Sequence, residues 1–412
     1  MDNLTHSLAG LLIAEAAIQL QQRRAAVAWT SRTRSALAAV SMLAANLPDA
    51  DLAYAGMGGS LGYLLHHRGH THTVPAVLVG TALLWGVVAL AWRWLGTQRM
   101  SRSDGWWVAA LLFACLSSHL LLDWTNSYGV HPFWPIDNRW FYGDSVFIVE
   151  PWLWIASVPT LVVASRMRIA RVLLCVVLPF AILLASRVSL VSSGALFGLV
   201  IGALASAFLT FVLRHRTLAR TAAAVSAWIA VTLVFLLGAR VARAAVVNAL
   251  RSEPGSQLLD VVVSSMPANA ICTSAIAVER VGSTYRVTTA NVSALPSVTP
   301  ASRCPENGRG ADMPTTASRR SSPAVHWGGE WSAPVAELAT LARESCPAFA
   351  ALRFIRVPVW RALDDSTVAM GDARYGGTGG GGFTRMTVSR RSTRCPRGVP
   401  PWIPPRADIL SP

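Results

Sequence analysis

Residues 115–129 read CLSSHLLLDWTNSYG, and the character of the whole chain turns on this stretch. It ends an apolar run, WWVAALLFACLSSHLLLDW over 106–124, in which two ionisable side chains are embedded, His119 and Asp123. A spacing of four places both on one face of a helix, a turn apart, so an imidazole and a carboxylate converge. Such a pair is costly in apolar surroundings unless it is hydrogen-bonded, solvated or metal-bound. A hydrogen bond pinning two helices and a pair of metal ligands are both compatible with this stretch alone.

Working outward, the composition is that of a membrane protein with a soluble appendage: 412 residues, 53% hydrophobic and 14% charged. The net charge of +15 comes entirely from arginine, because the chain has no lysine. In a soluble chain that charge would point to nucleic acid. Here many of the arginines fall in short loops between apolar runs, where membrane orientation explains them better, and no nucleic-acid partner is expected.

Eight segments are expected to be membrane-embedded helices: 4–20 and 36–47, short for a full crossing, then 74–95, 106–123, 147–164, 170–186, 189–213 and 221–239. Threading them collects Arg23, Arg24, Arg32, Arg34, Arg93, Arg99, Arg102, Arg166, Arg168, Arg171, Arg214, Arg216 and Arg220 on one face. The other face receives Arg68, Arg139 and Arg187 with most of the acids, Asp2, Asp49, Asp51, Asp137, Asp144 and Glu150. The positive-inside rule makes the first face cytoplasmic and the polar motifs external. Aromatic residues of the 124–154 stretch, among them Trp134 and Trp140, suit an outer headgroup level. Acidic Asp2, with His6 and Glu15 interrupting the apolar stretch, does not fit a secretory signal, so the N-terminal segment is expected to be retained.

The expected fold class is therefore mainly α, a polytopic helical membrane domain over 1–245 followed by a β-rich extracytoplasmic domain over 246–412. LLDVVVSS, TSAIAVERV, STYRVTTANV and FTRMTVSR alternate or run as strands do. The Pro, Ser and Arg-rich stretch 297–334 and the glycine run 376–382 read as loose loops, and the tail after Cys395 as poorly ordered. Cys115 and Cys175 lie inside apolar helices. Cys272, Cys304, Cys346 and Cys395 fall in the external domain, where an even number suggests two disulfides with three pairings open. A zinc site is the rival for these four, but no C-x-x-C spacing supports it.

Four polar clusters are expected on the external face: His6, the Asp49 and Asp51 pair, the LLHHRGHTHT loop, and His119 with Asp123. Each alone has an ordinary explanation as a cap, a turn or a solvated loop. Their convergence on one side, with imidazole and carboxylate dominating and thiolate absent, points to Zn²⁺ or Mn²⁺.

MDNLTHSLAG, NLPDAD, HRGHTHT, HLLLDWTNSYG and PFWPIDNRWFYGDSVFIVEPWLW together resemble the bacterial membrane-bound metal-dependent hydrolases of the YdjM-like type. LRFIRVPVW and MGDARYGG are similar to the external domain of the longer members. That family is in turn similar to the zinc-dependent phospholipase C and P1 nuclease group, all-helical enzymes whose metal cluster uses an H-x-x-x-D pair. The resemblance implies His6, His67, His72, His119 and Asp123 as ligands, Asp49 as a bridging ligand or general base, and two or three ions. His66, His70 and His131 fall outside the shared motifs.

The expected function is a metal-dependent hydrolase of the bacterial cytoplasmic membrane, its site facing out and its substrate a phosphoester such as a lipid headgroup. Arg68 and Arg139 are candidate binders of substrate charge, since a guanidinium matches phosphate in a bidentate way. Their alternative role is an ion pair with Asp137, Asp144 or Glu150. Two other classes stay open, a transporter and a non-catalytic membrane protein stabilised by its metal.

Overall fold

The computed structural model describes the chain except for residues 25–26, 96–98, 252–254, 307–312, 314, 379–381 and 411–412. From the N-terminus it runs α1 (Asn3–Arg24), α2 (Ser31–Asn46), α3 (Leu52–Ala55), α4 (Gly59–His66), α5 (Val74–Leu95), α6 (Arg102–Trp124), α7 (Pro151–Ala164), α8 (Arg168–Ala185), α9 (Ser193–Val212) and α10 (Thr217–Leu250). There follow β1 (Ser256–Met266), β2 (Asn269–Val281), β3 (Thr284–Ser293), β4 (Thr315–Thr316), β5 (Val325–Pro334), α11 (Val335–Glu344), α12 (Cys346–Leu352), β6 (Pro358–Ala362), β7 (Thr367–Asp372), β8 (Met386–Ser389) and α13 (Ala407–Leu410). The chain divides into two compact units. One comprises Met1–Ala50, Thr71–Asn126 and Val146–Phe235; the other comprises Asp51–His70, Ser127–Ser145 and the chain from Leu236 onward.

In the helical unit the starts of the helices are written in the sequence. Ser101 accepts from the Asp104 amide, and the Asp104 carboxylate accepts in return from the Ser101 amide, a capping box that opens α6. Thr30 caps α2 through the Thr33 amide, and Glu150 with Pro151 opens α7. Helix α1 packs on α2, α6 and α7. Its approach to α2 is so close that a Cβ at Gly10 would stand 2.6 Å from the Ser41 carbonyl oxygen. Trp154 of α7 donates to Thr5 Oγ1 of α1 at 2.8 Å.

Among the described residues five helices, not eight, are long and apolar enough to cross a membrane: Val74–Trp94, Arg102–Trp124, Arg168–Ala185, Ser193–Val212 and Thr217–Leu250. The three other expected spans are helices, but they fall short for physical reasons. Helix α7 has 14 residues, about 21 Å against a hydrocarbon core of about 30 Å. Helix α2, at 16 residues, opens with Arg32 and Arg34. Helix α1 is 22 residues long but carries His6, Glu15, Gln19 and Gln21; Gln19 is buried and donates to Glu15 and Thr221.

The second unit is β-rich, as the hydropathy collapse predicts. Its larger sheet is antiparallel in the order β1-β2-β3-β5-β4, and a smaller one has the order β6-β7-β8. In the LLDVVVSS run the consecutive valines Val261, Val262 and Val263 are all buried because both faces of the large sheet are covered. Val262, Ile276, Val278 and Val287 pack with Leu338, Phe354 and Trp360, whereas Val261, Val263, Ala275 and Ala277 pack against Ala242 and Val246 near the end of α10. Two disulfides, Cys272–Cys304 and Cys346–Cys395, staple this unit.

Two readings of loose chain need correcting here. The 297–334 stretch ends in β5, because VHWGGEWSAP supplies a partner for β3. In the tail, Trp402 is buried and donates to the Leu65 carbonyl at 3.1 Å. Of the glycine run, residues 379–381 lie outside the described residues.

Candidate metal centre

Helix α6 presents His119 and Asp123 as the four-residue spacing requires, both with fully buried side chains. A short 3₁₀ turn, Leu47–Asp51, follows α2 and carries Asp49. His72 lies just before α5. One donor atom from each of Asp49, His72, His119 and Asp123 lies within 4.8 Å of all the others. His72 Nε2 and His119 Nε2 are 3.1 Å apart. Asp123 Oδ2 is 3.1 Å from the first and 3.3 Å from the second, and Asp49 Oδ1 is 3.4 and 3.6 Å from them.

The chemistry of this set follows from what holds the rings. His119 Nδ1 lies 2.6 Å from the Ala45 carbonyl oxygen. A carbonyl can only accept, so Nδ1 carries a proton and Nε2 is the nitrogen turned inward, the one available to a metal ion. His72 Nδ1 contacts Thr71 Oγ1 at 3.0 Å, a hydroxyl able to play the same part. Two imidazole lone pairs and two carboxylates facing one another repel unless a proton or a cation lies among them. Orientation of a ligating histidine through its second nitrogen is the usual support of a metal site. Burial alone would raise the Asp49 carboxyl, but His119 and His72 outweigh it and hold that group below the ordinary carboxylate range. The residues therefore fit a divalent cation: His72, His119 and Asp123 supply three close donors, and Asp49 stands slightly farther off as a fourth donor or a partner for bound water.

His6 belongs to the same unit in a supporting position. Its ring stacks on His119 with centroids 3.8 Å apart, and its Nε2 lies 3.3 Å from Asp123 Oδ1. The Met1 ammonium contacts that same carboxylate oxygen. Asp123 thus offers Oδ2 to the two histidines while Oδ1 meets positive or donor groups.

The remaining candidates belong to the β-rich unit. His67 Nδ1 is 3.0 Å from Asp51 Oδ1, and the Arg68 amide donates to Asp51 Oδ2 at 2.9 Å. Arg68 adopts φ 57°, and its guanidinium lies 4.7 Å from the centroid of the Tyr128 ring. Arg139 takes its alternative role: it is exposed and engages Asp137 through Nη2 at 2.6 Å. His131 is buried between Trp402 and Trp140, and His70 packs near Trp134 and Trp402.

Sequence reasoning missed three contributors. Ala45 acts through a backbone carbonyl, which no residue type announces. Asp51, read as a turn residue, organises the 67–68 loop. Arg356 was not singled out; it donates bidentately to Asp144 at 2.8 and 2.9 Å and reaches Asp260 at 2.8 Å. The LRFIRVPVW motif that contains it was the available signal.

Residues 1–193 match the family model described as YdjM inner membrane protein, a segment that includes all four converging donors. No curated protein and no solved structure matches the chain, so the likeness to phospholipase C and P1 nuclease finds no support there.

Proposed function

We propose that the helical unit binds a divalent metal ion and that the protein acts as a membrane-bound hydrolase of phosphoesters, lipid headgroups foremost, at the extracytoplasmic face of the bacterial cytoplasmic membrane. One observation carries the reading: four acceptor atoms from Asp49, His72, His119 and Asp123 converge within 4.8 Å in largely buried surroundings. Mixed imidazole and carboxylate donors suit Zn²⁺ or Mn²⁺. Such an ion, when bound, lowers the pKa of water and polarises a phosphoryl oxygen.

The chain's own residues supply the rest. His119 and His72 are oriented through their Nδ1 contacts, and Asp123 holds negative charge where water is excluded. Among the four donors only the Asp49 side chain keeps any exposure, at 9%. That makes it the group on the approach path, suited to accept a proton from an attacking water. Neither Arg68 nor Arg139 is required. The outward orientation of this end of the helical unit is read from Arg93, Arg99 and Arg102, which cluster at the opposite end of the two spans α5 and α6.

The test is turnover of phospholipid by the detergent-purified chain loaded with zinc or manganese. Asp49→Asn is expected to keep its fold and, in excess metal, its ion, and to lose at least about 100-fold in rate, the scale of a general base. A loaded parent that releases no phosphorylated headgroup, yet unfolds on chelation, would replace catalysis with a structural metal.

A further inference from the structure

The helical unit has a second feature in the other half of α1, about 14 Å along that helix from His6 at 1.5 Å per residue. Leu11 and Ile18 of α1, Ala38 and Met42 of α2, Leu161 of α7 and Leu174 of α8 line an open cavity of about 240 Å³. Arg34 and Arg166 stand in the same lining, as does Glu15. Arg34 Nε is buried with no hydrogen-bond acceptor, and neither guanidinium has an ion-pair partner among the described residues. Glu15 is engaged elsewhere: it accepts from Gln19 at 2.5 Å and lies 3.8 Å from Arg220. Burial, then the repulsion of Arg166, pushes the Arg34 pKa down against a smaller opposing effect of Glu15. An apolar slot lined by one guanidinium whose Nε is buried and unmatched, Arg34, and a second that is exposed, Arg166, suits an anion attached to a hydrocarbon.

Size and access narrow the ligand further. At about 240 Å³ the cavity is smaller than the roughly 300–1,000 Å³ of whole-ligand pockets, so it takes part of a molecule. Beside it, α8 exposes Ile169, Val172 and Leu173, at 72%, 63% and 64%, a face suited to hydrocarbon. We infer that this groove holds one acyl chain of an anionic phospholipid, with the lipid phosphate bridged between Arg34 and Arg166. The site is independent of the hydrolytic reading, since none of its residues belongs to the donor cluster.

Native mass spectrometry of the full-length chain in detergent tests it, with phosphatidylglycerol and phosphatidylcholine offered at equal concentration. Phosphatidylglycerol is expected to be retained at least about tenfold more, the scale of charge-assisted hydrogen bonds. Arg34→Gln with Arg166→Gln should erase that preference while metal content stays at the parent level. Ala38→Trp, which fills the slot and leaves both arginines in place, should also lower phosphatidylglycerol retention. Equal retention of the two lipids, an undiminished preference in the arginine double variant, or displacement of the lipid by inorganic phosphate alone would each overturn the proposal.

Discussion

His119 donates from Nδ1 to the carbonyl oxygen of Ala45 at 2.6 Å, which turns its Nε2 toward His72, 3.1 Å away. Ligand identity follows from this relationship. His119→Ala and Asp123→Ala should each abolish stoichiometric zinc or manganese in elemental analysis of purified protein. His67→Ala should retain the ion, because His67 is engaged with Asp51 in the β-rich unit. Loss of metal in the His67 variant with His119→Ala unaffected would move the centre to the 51–70 loop.

The carbonyl that orients His119 sits on α2, and α2 is placed by its contact with α1. A Cβ at Gly10 would lie 2.6 Å from the Ser41 carbonyl and 2.8 Å from Ala45 Cβ. Backbone cannot yield as the end of a flexible side chain can. Gly10→Val should therefore displace Ala45 and weaken metal affinity about 10- to 100-fold, as loss of a ligand's orienting partner does. Metal titration with a fluorescent chelator as competitor measures this; an unchanged affinity would mean that Ala45 does not set the ring.

In the β-rich unit, Arg356 answers two buried carboxylates, Asp144 and Asp260. Asp260 also lies near Arg406. Burial alone would raise its pKa, but the guanidiniums outweigh it and hold it well below the usual range. A carboxyl lowered on folding contributes stability that is present above its unfolded pKa, about 3.9, and is lost as pH falls through the folded value. Arg356→Met leaves two acids buried without this partner and should cost about 3–5 kcal/mol near neutral pH. In the variant, protonation relieves the cost, so its deficit in thermal unfolding should shrink as pH is lowered from 7 to about 4.5. A deficit constant across that range would mean that the loss is one of packing, not of charge.

How far these features were legible in the sequence depends on the physics behind each. The i, i+4 pair of His119 and Asp123 was readable because helical geometry fixes it locally. The strands of the large sheet were readable from long runs of β-branched and apolar residues. Strand β5 was not, because HWGGEWSAP carries two glycines and a proline and is stabilised by pairing with β3, a non-local term. Helix α1 reads locally as a span, because the partners of its polar Gln19 and Glu15 are supplied about 200 residues away by Thr221 and Arg220. The neighbours of each candidate ligand are set only in three dimensions: HRGHTHT offers His67 and His72 alike, and the fold sets the first beside Asp51 and the second beside His119.

Orientation in the membrane is decided by which loops face the oxidising side, and two positions separate the alternatives. Gly58 is exposed, and a Cβ there meets nothing within 4 Å, so Gly58→Cys should be tolerated. Ser103 is exposed in the first turn of α6 and leaves the Ser101 cap intact. Free Cys175 is exposed and must be changed to serine first, whereas Cys115 is buried. In intact cells a membrane-impermeant thiol reagent should label Gly58→Cys and spare Ser103→Cys if, as proposed, the arginine-rich loop at 99–102 faces the cytoplasm. Non-reducing electrophoresis of the same samples reads the compartment of the disulfide-bearing unit separately, by the faster migration expected of a chain closed by Cys272–Cys304 and Cys346–Cys395 in oxidising surroundings. The reverse labelling pattern would place the metal donors' loops inside and overturn an external phosphoester as substrate.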